Sequence, residues 1–291
     1  MKQQTKAYLL ALTAILFWST MSSAFKITLR YTDPLNLLLF SSFFSIIVLF
    51  ALLLMNGKIP LLKQTSLKDL RNSALLGLLN PFLYYVVLFR AYELLPAQEA
   101  GTLNYIWPVV LVLFSIPLLK QKIGWLSMLA IFISFLGIII ISTHGDVLSF
   151  QFTDRIGVIL AVGSAVFWAL FFLLNVRDKR DENVKIFWNI SFGFLYILIF
   201  SMFFSEIQLP RKWGLLGALY IGAFEMGITF VIWLTALRLS KSTAKISNLV
   251  YLSPFIALFF IRFAVGEIIL LSTIIGLVFV VSGIILQKYS K

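Results

Sequence analysis

The sequence predicts an all-α membrane protein of ten transmembrane helices, arranged as a five-plus-five inverted-topology repeat around a central cavity. Three observations predict it. The composition is too apolar for water, the apolar residues fall into ten runs long enough to cross a bilayer, and the two halves of the chain echo each other at a near-constant spacing.

The composition excludes most soluble functions. Of 291 residues, 60% are hydrophobic and 12% are charged, with a mean hydropathy of +0.98. A soluble domain is about 45–50% apolar and about 25% charged. So few charges cannot cover so much apolar surface, and the missing solvent is lipid. The chain has no cysteine, which removes disulfides and thiolate metal sites, and one histidine, His144, which leaves no His-rich ligand set. No metal, cofactor or enzymatic activity is therefore expected. A Walker-type glycine loop is absent, so ATP hydrolysis is not the energy source.

A spanning helix needs about 20 mainly apolar residues. Read from the N-terminus, the first such run is Ala7–Leu29. Lys2 and Lys6 before it and Ser22-Ser23-Ala24 within it also fit a cleaved signal peptide, but a counterpart later in the chain argues for a retained helix. Leu35–Met55 is the second run. The third, Leu70–Arg90, carries Asn80-Pro81 near its middle, and the fourth, Ala97–Leu119, carries Asn104, Pro108 and Pro117. Ile123–Ser142, Arg155–Val176 and Ile186–Phe204 follow. Trp213–Leu237 is the eighth and holds Glu225, the one acidic residue clearly in the middle of a span. Ser242–Phe263 and Ile268–Gln287 complete the set, and no soluble domain or linker interrupts it.

Charge orients these spans. The net charge of +12 could indicate nucleic-acid binding, but the basic residues are scattered over many loops. With the N-terminus in the cytoplasm, only Lys26, Arg30, Arg90, Arg155, Arg211, Lys212 and Arg262 of the 24 basic residues fall outside. That is the positive-inside bias. It places both termini in the cytoplasm and leaves the lipid bilayer, rather than nucleic acid, as the partner.

The repeat rests on several weak matches in order. Tyr105-Ile106-Trp107-Pro108 falls on Tyr251-Leu252-Ser253-Pro254 at an offset of 146, and Gly137-Ile138-Ile139 falls on Gly283-Ile284-Ile285. Gly77 matches Gly222 and Ala91 matches Ala236 at 145; Phe17-Trp18 matches Phe167-Trp168 at 150. The two units are residues 7–142 and 155–287. Five spans per unit is odd, so the second enters the membrane from the opposite side, an arrangement that recurs in transporters with substrate bound near the midplane.

Polar groups inside a span are costly unless they face protein or water, so they mark candidate sites. Asn80, with Tyr84 and Tyr85 one turn on, and Asn104, with Trp107 beside Pro108, are the first. A proline frees a backbone carbonyl and can bend the helix. Asn248, Tyr251 and Pro254 repeat the pattern. Glu225 falls on Asn80 at the repeat offset, so both units place a polar group at one depth. It is either a protonatable group or counter-ion for a substrate cation, or a protonated carboxyl bonded to a neighbouring helix. Trp18, Trp107, Trp168 and Trp233 lie deep enough to touch substrate or to pack, while Trp213 is an interfacial anchor. Glycines 124, 137, 157, 163, 276 and 283 let helices approach closely.

This pattern resembles the drug/metabolite transporter superfamily, in its branch of paired EamA-type domains. The second unit carries much of that signature as Ala236-Leu237-Arg238, Tyr251-Leu252-Ser253-Pro254, Gly266-Glu267 and Gly283. The first departs from it, with Lys120-Gln121 where Gly266-Glu267 would fall. The run Asn104-Tyr105-Ile106-Trp107-Pro108 resembles that of the aromatic amino acid exporters of the YddG type. The resemblance implies export of amino acids, aromatic or large neutral ones preferred, from the cytoplasm of a bacterium across its inner membrane. Trp107 and Trp168 match tryptophans of that group, and its third-helix cavity position falls at or near Tyr85, where members can carry histidine. The expected substrate-contacting set is Trp107, Trp168, Tyr85, Asn104, Asn80, Tyr84, Trp18, Glu225, Trp233 and Tyr251. The alternative is a broad exporter of cationic drugs or other metabolites with Glu225 as counter-ion or proton site. A monomer suffices for either.

Overall fold

The computed structural model describes residues 3–119, 124–146, 152–175, 177–240 and 248–289, and among them there are helices and turns but no strand. Six segments are long and apolar enough to cross a membrane: Gln3–Thr28, Pro34–Met55, Leu67–Leu94, Arg155–Asn175, Glu182–Phe204 and Lys212–Trp233. Met128–Ser142, Leu249–Val265 and Leu271–Leu286 are apolar but shorter.

The first two spans are continuous. Helix α1 (Gln3–Thr28) leads by a short turn to Asp33, whose carboxylate accepts the amides of Leu35 and Asn36 at 3.0 and 3.1 Å and so starts α2 (Pro34–Met55). Proline at the first position costs nothing there, because that amide has no partner in a helix. The chain then turns through Gly57, at φ +65°, into the short α3 (Ile59–Lys63). Ser66 and Asp69 form a capping box that opens α4 (Leu67–Gly77).

From here the expected third, fourth and eighth spans are each interrupted, and the ninth is described only from Asn248 onward. In the third, α4 passes through a wide-turn segment, Leu78–Leu83, in which Asn80 is extended at φ −148°, ψ 119°, before α5 (Tyr84–Leu94) resumes. In the fourth, α6 (Ala97–Asn104) stops at Tyr105 and α7 (Trp107–Leu119) restarts two residues on. The eighth is split at Glu225 into α11 (Lys212–Phe224) and α12 (Ile228–Leu239). The ninth is seen from a 3-10 turn, Asn248–Leu252, through α13 (Ser253–Phe260) to Gly266, at φ +85°. Prolines 81 and 108 account for the breaks in the third and fourth. No proline marks the break at Glu225, so a continuous Trp213–Leu237 is corrected to two helices.

The remaining helices are α8 (Trp125–Ser142), α9 (Arg155–Asn175), α10 (Glu182–Phe204) and α14 (Leu271–Tyr289). Helix α10 starts before the expected Ile186 because Asp181 caps it through the Asn183 amide at 3.0 Å. Lys120–Lys122 between the fourth and fifth spans, the predicted start of the fifth at Ile123 and that of the ninth at Ser242 lie outside the described residues.

Large apolar side chains form outward stripes with helical spacing: Leu9, Leu12 and Leu16 on α1, Phe43, Ile47, Phe50 and Leu54 on α2, and Leu195, Ile199 and Met202 on α10. The opposite faces bury small residues such as Ala7, Ala11 and Ala14. Stripes of this size have no place in water and fit hydrocarbon.

Small residues set the helix contacts. Helices α8 and α14 form the most extensive pair, seated where Gly137 meets the Gly276 carbonyl and Val280, and Gly283 meets Ser134. Gly77 of α4 lies against the Asn189 carbonyl and Gly193 amide of α10. Gly222 of α11 lies in the same way against the Ser41 carbonyl and Ser45 amide of α2. These two contacts correspond, α4 resting on α10 and α11 on α2.

Charge fixes the turn between α5 and α6. Lys26 Nζ donates to the carbonyls of Tyr92 and Leu95, at 2.7 and 2.6 Å, at the end of α5. Glu267 accepts the amides of Ala97 and Gln98, at 2.7 and 3.1 Å, at the start of α6. Each charge sits at the helix end whose dipole it complements.

Candidate functional site

The breaks bring polar side chains together. In α5, Tyr84 and Tyr85 project from the turn just after Asn80-Pro81. Tyr84 Oη donates to Asn104 Oδ1 at 3.1 Å, and Asn104 Nδ2 donates to Ser164 Oγ of α9 at 2.8 Å. Tyr85 Oη donates to Glu225 Oε1 at 2.9 Å, across the α11–α12 break. Tyr105 Oη donates to the Val250 carbonyl at 2.7 Å and ties the break in the fourth span to the 3-10 turn Asn248–Leu252.

Aromatic rings surround these groups. The Tyr84 ring lies 4.6 Å from Tyr85 and 5.0 Å from Trp168, centroid to centroid. Trp168 meets Trp107 edge-on at 6.3 Å and Phe230 at 6.1 Å. Phe230 leads to Trp18 at 5.8 Å, and Trp18 to Trp233 at 5.4 Å. Tyr84 and Tyr85 are buried, whereas Trp18, Trp107, Trp168 and Trp233 are half-buried. Six of the ten expected residues thus form one aromatic chain spanning α1, α5, α7, α9 and α12. Edge-on and tilted rings at these separations contribute about 0.5–1.5 kcal/mol per pair beyond area burial.

Two more expected residues, Asn104 and Glu225, join through hydrogen bonds to the tyrosines. Glu225 is nine-tenths buried and its Oε2 has no partner among the described residues. Asn80 and Tyr251 stand beside the set. Asn80 is buried and forms the bend itself, as Glu225 ends α11. Tyr251 is half-buried, next to the carbonyl that receives Tyr105.

Sequence reasoning missed Ser164, which orients Asn104, and Phe230, which joins the two pairs of tryptophans. A serine or phenylalanine in an apolar run carries no marker, and only packing shows its neighbours. The role of Glu267 in capping α6 was also hidden, although its motif was visible, because its partners lie about 170 residues away.

Broken apolar helices crossed by a buried carboxyl and a ring-lined polar centre define a polytopic helical membrane protein built to handle a small molecule. The EamA-like transporter family model matches residues 5–143 and 155–287, and the chain belongs to that family, within the drug/metabolite transporter superfamily. It is a multi-pass membrane transporter and not an enzyme. An uncharacterized transporter of Clostridium kluyveri is 26% identical over 98% of this chain and 94% of its own length. The uncharacterized transporter YvbV of Bacillus subtilis is also 26% identical, over 98% and 93%. The aromatic amino acid exporter YddG of Salmonella typhimurium is 24% identical over 78% of each chain. A solved crystal structure superposes with a TM-score of 0.66 at 22% identity, covering 98% of this chain and 96% of that one, and supports the fold alone.

Proposed function

We propose that this chain exports amino acids, aromatic or large neutral ones preferred, from the cytoplasm by alternating access in a bacterial inner membrane. The observation that carries this reading is the ring chain Trp107–Trp168–Tyr84–Tyr85, drawn from three helices and ending on the carboxyl of Glu225. Flat apolar walls with a few fixed polar groups suit a flat side chain attached to an amino-acid head. The similarity to an aromatic amino acid exporter agrees with it.

The architecture we infer has ten spans in two inverted units, residues 7–142 and 155–287, with both termini cytoplasmic. Supporting it are the breaks at Asn80 and Glu225 and the corresponding seats of Gly77 and Gly222. Two similar units that exchange conformations give inward-open and outward-open states of nearly equal energy. The test is counterflow in proteoliposomes. Trp107→Ala should abolish tryptophan counterflow while expression and folding are retained; unchanged counterflow rejects the site.

One observation favours a second reading, a broader exporter of cationic compounds. Glu225 Oε2 is buried without a partner and could receive a substrate cation. Glu225→Gln separates the two. Loss confined to cationic substrates supports the broader exporter, and equal loss for zwitterions supports the amino-acid reading.

A further inference from the structure

Hydroxyls on the helices of this chain commonly return a hydrogen bond to the turn before them: Ser42 to Leu38, Thr102 to Gln98, Thr143 to Ile139 and Thr235 to Val231. Thr229 does not. Its Oγ1 is fully buried and has no partner among the described residues. The cause is local, because the carbonyl four residues back belongs to Glu225, where the helix has already broken. Glu225 Oε2 is the second unpartnered oxygen at this break, and no ion pair reaches that carboxyl among the described residues. An unpartnered buried polar group costs about 1–3 kcal/mol, and more if it is charged. Two of them one turn apart call for a ligand.

The surroundings specify its chemistry. A helical Cβ leans toward the N-terminus, so the Thr229 side chain lies back over the Glu225–Gly227 turn. Ser45 Oγ donates to the Met226 carbonyl at 3.2 Å, and the Oγ of Ser41, one turn before it on α2, is a further buried oxygen without a partner among the described residues. Carboxyl, hydroxyl and main-chain carbonyl oxygens form a hard, all-oxygen environment with one acidic group. When the carboxyl is ionised, one monovalent cation neutralises it. No hydrogen bond joins the two oxygens, and an ion held by both would satisfy each of them. Unwound helix segments hold coupling cations in this way in other transporter folds.

We propose that the Glu225–Gly227 break binds one sodium ion, with Glu225 Oε2 and Thr229 Oγ1 as its side-chain ligands. Binding is independent of the substrate assignment, while its coupling to export rests on the transporter reading above. Glu225 then holds either the ion or the substrate's ammonium group, and that exclusivity is the condition for antiport: sodium moves inward as substrate moves outward.

The test is thermal unfolding of the purified full chain in detergent, titrated with sodium chloride against choline chloride at fixed ionic strength and pH. The expected result is a saturable rise in midpoint with sodium and none with choline. Thr229→Val should weaken the apparent sodium affinity at least tenfold, Thr229→Ser should retain it, and Glu225→Gln should abolish the response. A flat response, or an equal one with choline, overturns the proposal. So does a wild-type midpoint that ignores sodium but moves with pH, since that marks a proton site. Should a variant fail to fold, radioactive sodium binding to the wild-type protein still decides. If sodium binding fails while Trp107→Ala still abolishes counterflow, the ion site is wrong and the transporter reading stands.

Discussion

Tyr85 and Glu225 connect the N-terminal and C-terminal halves of the chain through a single hydrogen bond of 2.9 Å, the tyrosine donating to Oε1. The bond ties one side of the ring chain to the helix break. Tyr85→Phe removes the donor and leaves both carboxyl oxygens without a partner. The expected loss is about 1–3 kcal/mol, since a buried acceptor loses its bond without regaining water. Replacing both partners, as Tyr85→Phe with Glu225→Leu, should recover most of it. Thermal unfolding in detergent checks both, and additive losses in the double variant would show that the bond does not couple the residues.

Trp168 is the hub of the aromatic set, touching Tyr84, Trp107, Phe171 and Phe230. Trp168→Phe keeps a ring but shortens it. It should fold normally and bind tryptophan about tenfold more weakly, equivalent to about 1.4 kcal/mol, in the range of one lost ring contact. Trp168→Ala should also lower the unfolding midpoint, because removing a large core side chain costs about 3–5 kcal/mol. Calorimetric titration beside a melting curve distinguishes the two effects.

The seats of Gly77 and Gly222 admit no side chain, because the neighbours are backbone atoms of another helix. Backbone cannot turn aside as a side chain can. Gly222→Leu should therefore destabilise by at least the ~1–3 kcal/mol typical of overpacking, and Gly77→Leu should do the same. The monodisperse fraction on size-exclusion chromatography measures the loss. Gly163, expected to seat a close helix contact, instead has open space around its Cβ position, so it should tolerate alanine and serves as the control.

Glu267 caps α6 from a distant loop, and its removal should resemble the loss of a strong N-cap. Glu267→Ala should cost about 0.5–2 kcal/mol, while Glu267→Gln, which can still accept one amide, should cost less. Hydrogen exchange at the Ala97 and Gln98 amides is the direct readout. Unchanged protection there would remove the capping role.

Acid should weaken the polar contact between α4 and the α9–α10 loop. Burial by itself would raise Asp178, but hydrogen bonds from Arg180 and its charge outweigh this and hold the carboxyl below its ordinary value of 3.8. Arg180 also donates to Ser73 at 2.7 Å, and Asn72 donates to Asp178 at 3.1 Å. A depressed folded value means the stabilisation is complete above the unfolded value and is lost as pH falls through the folded one. The wild-type midpoint should therefore drop faster below about pH 4 than that of Asp178→Asn. Parallel curves would show that this pair does not contribute.

Much of the site was legible in the sequence because polar and aromatic residues stand out in an apolar chain. Tyr84, Tyr85, Asn104, Trp107, Trp168 and Glu225 were all visible on that ground. Their pairing was not. Asn80 and Glu225 looked alike by offset, yet Asn80 forms a bend and Glu225 receives a hydrogen bond, a difference set by which helices approach each one.

The sequence by itself determined the solvent, the class of secondary structure and the family. These follow from composition, run length and short motifs, which are local properties that each segment carries alone. Only the tertiary structure decided that the Trp213–Leu237 run breaks at Glu225, which rings touch, and that Glu267 caps a helix about 170 residues away. The physical reason is that lipid satisfies an apolar run of almost any order. Buried oxygens, amides and ring edges are satisfied only by particular partners, and folding brings those partners together from distant parts of the chain.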